Sequence, residues 1–180
     1  GIIMAKTNWV LDPTHSSVDF SVKHMMFATV KGGFEAFNAT IVADPQDLTT
    51  ATIEFTVELN SVDTRNEDRD NHLRSADFFD VENHPTMTFK ATNIEKTDDN
   101  EYDVTGDLTI RGVTKSETFL VTFEGSGIDP WGNEKAGFAV EGKVKRSDYG
   151  LTWNAALETG GVLVGDQIKI SLQIQAAKEA

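Results

Sequence analysis

The sequence contains no cysteine, which excludes disulfides, thiolate zinc sites and thiol nucleophiles together. It has no uninterrupted apolar run of roughly 18 residues, the length a membrane-spanning helix requires. Basic residues are outnumbered, 16 against 29 acidic, and the net charge of −13 repels phosphate backbones and anionic membrane surfaces. Nucleic acid is therefore not expected as a partner, and neither is an integral membrane segment. The acidic excess, as in Glu95 to Glu101 with Asp98, Asp99 and Asp103, reads as a solvated, solubilising face.

Cofactor signals are missing as well. The four histidines, His15, His24, His72 and His84, show no His-x-His or His-Glu-x-x-His spacing. Gly125-Ser126-Gly127 lacks the lysine and following helix of a phosphate cradle. No metal and no cofactor are expected. Low-complexity linkers and internal repeats are also absent, so 180 residues with 39% apolar content read as one domain. The expected boundaries are a lead over 1–7, disordered or not native because Gly1, Ile2 and Ile3 precede Met4, then a barrel over 8–176 and a tail over 177–180.

What the sequence does contain is alternation. Val18, Phe20, Val22 and His24 alternate with Asp19, Ser21 and Lys23, the period-two pattern of a half-buried strand that turns His24 inward. The pattern recurs at Ile53 to Leu59, Tyr102 to Ile110, Phe119 to Phe123, Phe138 to Val144 and Ile168 to Ile174, with shorter versions at Phe34 to Ile41 and Met87 to Ala91. Turn signals punctuate the runs: Ala43-Asp44-Pro45, Asp98-Asp99-Asn100, Arg111-Gly112, Asp129 to Asn133 and Thr159-Gly160-Gly161. Between Asp63 and Phe79 the period of two fails, and good helix formers over Arg65 to Ala76 predict one short helix, placed to lid one end. About eight antiparallel strands with one apolar face each must close on themselves, which predicts an all-β antiparallel barrel. Such a barrel either fills with its own side chains or holds one small ligand.

Several side chains invite a chemical role. Asp12, His15 and Ser16 suggest a hydrolase, but the Gly-x-Ser-x-Gly elbow is absent and adjacent strand residues face opposite ways. His24, inward among apolar neighbours, reads as a neutral core imidazole bonded to a carbonyl or to Ser16. Arg74, near the helix end, reads as a cap on carbonyls or a partner of Asp70 or Asp77. Arg146 and Asp148, two apart on an expected strand, read as a structural pair at the barrel end. Trp9 and Trp153 read as plugs for the barrel ends.

Co-linear stretches then carry a family resemblance. Trp9 to Met26 followed by Val30 to Phe34, Arg69 to Val81 with Pro85 to Phe89, Gly106 to Lys115, Arg146 to Trp153 and Val164 to Asp166 resemble the YceI-like family in order and spacing. The resemblance runs from Asn8 to about Ile174. It implies an extended, eight-stranded, lipocalin-like antiparallel barrel whose central pocket holds a polyisoprenoid, an isoprenoid quinone or a fatty amide, for transport, storage or sequestration, with no reaction. The inward set that would line such a pocket is Phe20, Val22, Phe34, Phe55, Phe78, Phe79, Phe89, Leu108, Phe138 and Trp153. The polar candidates for a headgroup are His15, His24, Arg74 and Arg146. Many family members carry an export signal, whereas this sequence opens almost directly at Trp9. The expectation is a cytoplasmic protein, or a periplasmic or extracellular one if a signal has been removed. A homodimer through barrel edges is compatible with the sequence. Two other readings remain: a small hydrolase or isomerase acting on an amphiphile with His24 as acid or base, which requires a second titratable group in reach, and a barrel packed solid, which requires no cavity.

Overall fold

A computed structural model describes residues 6–155, 157 and 163–179. The alternating runs become antiparallel strands of a single sheet, β1 (Thr7–Leu11), β2 (Ser17–His24), β3 (Ala28–Phe34), β4 (Phe37–Asp44), β5 (Asp47–Glu58), β6 (Val62–Asp63), β7 (Thr86–Asp98), β8 (Glu101–Ile110), β9 (Val113–Ile128), β10 (Glu134–Lys145) and β11 (Val164–Lys178). Three consecutive pairs, β1 with β2, β3 with β4 and β5 with β6, run nearly end to end across short breaks. The eleven strands thus form eight staves, each beside its neighbour in sequence, and the last stave returns to the first. The long strand β11 makes the closure. Its C-terminal part pairs with β1, Leu11 opposite Ala176, and its N-terminal part pairs with β2, Val22 opposite Ile168.

The breaks have local causes. Between β1 and β2, Pro13 starts a single 3-10 turn over Pro13–His15, and the Asp12 carboxylate accepts from the Thr14 N–H and hydroxyl. Hydrogen bonds from Thr14 and then His15 hold the Asp12 carboxyl down at about 2. Leu59–Ser61 form the 3-10 turn between β5 and β6, with Leu59 fully buried beneath it. The expected helix is α1 (Glu67–Arg74), capped by the Asn66 side chain, which accepts from the Arg69 N–H. Strand pairing also takes in Thr7, Ala177 and Lys178, residues assigned above to the lead and tail. The expected turn at Thr159-Gly160-Gly161 lies outside the described residues.

Arg111-Gly112 makes a two-residue hairpin with φ of 52° and 75°, joining Ile110 to its partner Val113. The β2–β3 turn is less conventional, because Met25 and Met26 take φ of 53° and 69° where Asn or Gly is usual.

Inside the barrel, glycines and phenylalanines fit each other. A Cβ on Gly142 would collide with the Phe119 ring, one on Gly32 would lie 2.6 Å from the Phe20 ring, and one on Gly106 would strike both the Phe89 ring and the Lys90 carbonyl. Each missing side chain lets an aromatic ring lie back against the wall. Because the Lys90 carbonyl is backbone, Gly106 has the least room to give. Gly106→Val is expected to lower stability by about 1–3 kcal/mol through overpacking, read as a lower urea midpoint with an unchanged m-value.

Candidate functional site

The alternation that closes the barrel also fills its inner face with apolar side chains, and the lumen they enclose is not solid. A cavity of about 160 Å³ lies in the half of the barrel that carries the β4–β5 and β7–β8 turns, walled by residues that include Ile53, Phe55, Phe89, Leu108, Phe138 and Ile174. A second, of about 250 Å³, lies in the half closed by α1 and the chain after it. Its walls include Phe20, Val22, Phe34, Phe78, Phe79 and Trp153. Val18, Met87 and Ile170 border both cavities, so the two adjoin through a common ring of side chains. The alternative of a barrel packed solid, which requires no cavity, is not met: rings folded onto glycines leave space at the centre.

The polar residues that border a cavity are concentrated at the second one: His24, Thr64, Arg69, His72 and Arg146, with Asp19 and Lys23 reaching its edge from the outward-facing, exposed set of β2. Most have structural partners. Arg69 donates from Nε to the Thr64 hydroxyl at 2.8 Å and from Nη2 to the Thr64 carbonyl at 2.7 Å. Asp70, almost fully buried, accepts from the Thr64 N–H and hydroxyl and pins the first turn of α1 to β6. His72 shares a hydrogen bond of 2.9 Å with Asp77 and sets its ring edge-on to Phe78 and Trp153, with centroids 5.0 and 4.7 Å away. Arg69 and His72, three apart on one helix face, were not singled out from sequence; their spacing was the available signal.

Arg146 departs most from its expected role. It opens a 3-10 turn, Arg146–Tyr149, instead of lying on a strand with Asp148. Its buried guanidinium donates to four carbonyls: Nε to Gly165 at 2.8 Å, Nη1 to Leu151 at 2.7 Å and Trp153 at 2.9 Å, and Nη2 to Val164 at 3.1 Å. The anion near it is Asp166, not Asp148. Burial pulls the Arg146 guanidinium below its ordinary value, and Asp166 partly restores it. Asp166 itself accepts from the Ser147 N–H and hydroxyl at 2.9 and 2.7 Å. Partial burial would raise its carboxyl, but these bonds and the Arg146 charge hold it below the usual value. Tyr149, wholly buried in the same turn, donates to Glu117 at 2.9 Å, and burial followed by that carboxylate pushes the phenol far up.

The other candidates are placed as follows. Arg74 borders neither cavity; of its two expected structural roles it takes the first, donating to the Asn60 and Val62 carbonyls and also to Asn71, and pairs with neither Asp70 nor Asp77. His15 bonds Asp12 at 2.8 Å in the open. Ser16 instead exchanges hydrogen bonds with the Gln175 backbone, so the three residues form no triad and Ser16 is not the partner of His24. His24 is half-buried at the end of β2 and borders the second cavity. Trp9 is buried at the far end, its indole N–H donating to the Ala43 carbonyl at 3.2 Å. Among the described residues, no group of three or more His, Asp or Glu is placed to hold a metal ion.

The model of the YceI-like domain matches residues 9–176, nearly the whole chain. The chain belongs to the YceI-like family. Its relatives include a UPF0312 protein of Staphylococcus epidermidis, 45% identical over 91% of this chain and 93% of that protein, and one of Staphylococcus aureus, 41% identical over the same shares. Solved structures share this YceI-like barrel. Burkholderia cenocepacia BcnA superposes with a TM-score of 0.80 at 25% identity, over 92% of this chain and 98% of that one. The Campylobacter jejuni YceI protein gives 0.76 at 34%, over 88% and 90%. A polyisoprenoid binding domain from Saccharophagus degradans shares the fold with a TM-score of 0.73 at 16%, over 96% and 99%.

Arg146→Met leaves four rim carbonyls without their donor and is expected to cost about 3 kcal/mol in urea unfolding. A carboxyl held below its unfolded value of 3.8 contributes stability above that pH and loses it as the pH falls. Ser147→Ala is therefore expected to flatten the fall in melting temperature below about pH 4 while leaving the slope near neutrality unchanged.

Proposed function

We propose that this YceI-like protein binds a long-chain amphiphilic lipid in its lumen and carries, stores or sequesters it without chemical change. The observation that supports the reading is the pair of adjoining apolar cavities inside a closed barrel, with the charged and imidazole side chains that border them all at the end beneath α1. An apolar chain lying along both cavities gains about 0.8 kcal/mol for each methylene withdrawn from water. A dozen or so carbons would exceed the lower estimates for the cost of association, about 4 kcal/mol. The polar end would meet the headgroup, with His24 and His72 as its neighbours. Polyisoprenoids, isoprenoid quinones and fatty amides fit this division into an apolar body and a small polar head. The Saccharophagus neighbour, described as a polyisoprenoid binding domain, points to the same class of ligand.

A catalytic reading asks for an acid or base paired with a second titratable group. Around the second cavity the hydrogen bonds run from Arg69 to Thr64 and between His72 and Asp77, and among the described residues none joins His24 to another titratable side chain. Binding is the better supported function.

Native mass spectrometry of purified protein, followed by organic extraction and lipid identification, tests the proposal. A stoichiometric long-chain adduct that leaves on extraction is the expected result. A bare polypeptide that also takes up no added prenyl alcohol, quinone or fatty amide would overturn it.

A further inference from the structure

The two cavities meet at three side chains, and these differ in their freedom to move. Val18 lies on β2 and Ile170 on β11, adjacent staves of one wall. Both are β-branched and held to few rotamers. Met87 lies on β7, four staves away from β11 in either direction around the barrel, and so reaches the ring from the opposite wall. It is unbranched, with three rotatable side-chain bonds and a polarisable sulfur that tolerates varied neighbours. It packs against both core clusters on the α1 side of the barrel, one around Phe78 and Tyr149 and the other around Phe34 and Leu59. No backbone hydrogen bond depends on where its side chain lies.

We infer that Met87 is the gate between the two cavities and sets the length of apolar chain the protein accepts. The inference rests on the lipid-binding reading. With Met87 across the ring, a chain entering beneath α1 fills only the cavity at that end. With Met87 swung to the wall, the chain continues into the deep cavity, which no charged side chain borders. The ligand class selected is then one long enough to fill both, an extended prenyl or acyl chain in preference to a short one. The deep cavity, at about 160 Å³, is too apolar to be a favourable site for water and is close in size to cavities that stay dry and take a benzene-sized group. It is suited to the distal end of such a chain.

The test uses the full chain and a series of prenyl alcohols with one headgroup and rising length: geraniol, farnesol, geranylgeraniol and solanesol. Affinities are measured by displacement of a fluorescent fatty-acid probe and by native mass spectrometry. For the unaltered protein, affinity is expected to rise from geraniol to farnesol, the length that cavities of about 250 and 160 Å³ together accommodate, and not to rise further with geranylgeraniol and solanesol. Met87→Phe, which fills the ring with a stiffer side chain, is expected to leave geraniol within about twofold and to weaken farnesol by about tenfold or more. Ile170→Phe narrows the same ring from the opposite wall and should reproduce the pattern if Met87→Phe does not fold. Met87→Ala should shift the preference toward the longer alcohols. Equal loss at every length, or none, in a folded Phe variant overturns the gate while the lipid-binding reading stands. An unaltered protein that binds no alcohol of the series overturns both.

Discussion

The sheet closes through one strand. β11 pairs along one edge with β10 and along the other with β1 and then β2, so a single fifteen-residue strand joins the last stave to two segments of the first. Without that closure the sheet would present two open edges and an uncovered apolar face, a state that pairs with other chains and aggregates. The break at Pro13 and the 3-10 turn after it follow from the same requirement. The first stave must bend to follow β11, and the turn lets it shift register, with Leu11 opposite Ala176 and Ser17 opposite Gln173. Arg146 then secures the start of β11. Its guanidinium binds the carbonyls of Val164 and Gly165, the first two residues of the strand, together with those of Leu151 and Trp153. A buried cation with four carbonyl acceptors is costly to desolvate and more costly to lose, which suits a group that fixes geometry at a rim.

Closure at eight staves sets the diameter, and at that diameter the fate of the interior depends on side-chain volume. Here the balance is adjusted by pairs. Gly32 accommodates Phe20, Gly106 accommodates Phe89 and Gly142 accommodates Phe119, so large rings lie along the wall instead of meeting at the axis. Phe89 and Phe119 then touch edge to face, with centroids 5.3 Å apart. The aromatic content that suggests a filled core is what walls an empty one.

Much of this was legible because the side-chain period of a strand is two and each stave buries one face. The inward residues from Val18 to His24, from Tyr102 to Ile110 and from Ile168 to Ile174 follow from alternation alone, and Arg111-Gly112 announces its own hairpin. The helix was legible as the place where alternation stops. What alternation does not encode is height along the barrel axis. Met87 reads as inward, but nothing in its neighbours in sequence sets it level with Val18 and Ile170, which are distant in the chain. Breaks in a stave are equally hidden. Arg146 and Asp148 sit two apart, as same-face strand residues would, yet the 3-10 turn sends one to the carbonyls of the rim and leaves the other exposed. The turn at Met25-Met26 carries no Gly or Asn signal, because the hairpin closes there despite the preference of those residues.

The distribution of polar atoms argues for the direction in which a ligand would lie. Buried charge in the described residues is committed to the scaffold: Asp44 accepts from the Gln46 N–H, Asp70 from Thr64, and Arg146 donates to the rim carbonyls. No buried side-chain nitrogen or oxygen among them is left without a partner. The deep cavity therefore offers an amphiphile nothing but contact area, whose attraction is non-directional and cannot by itself orient a chain. Orientation comes from the other end. A polar headgroup drawn into the deep cavity would lose its hydrogen bonds to water and find none in return, a cost of roughly 2–7 kcal/mol, whereas beneath α1 it remains near His24 and His72. On the proposed reading, the penalty at one end and the apolar gain at the other act together, and the chain enters tail first.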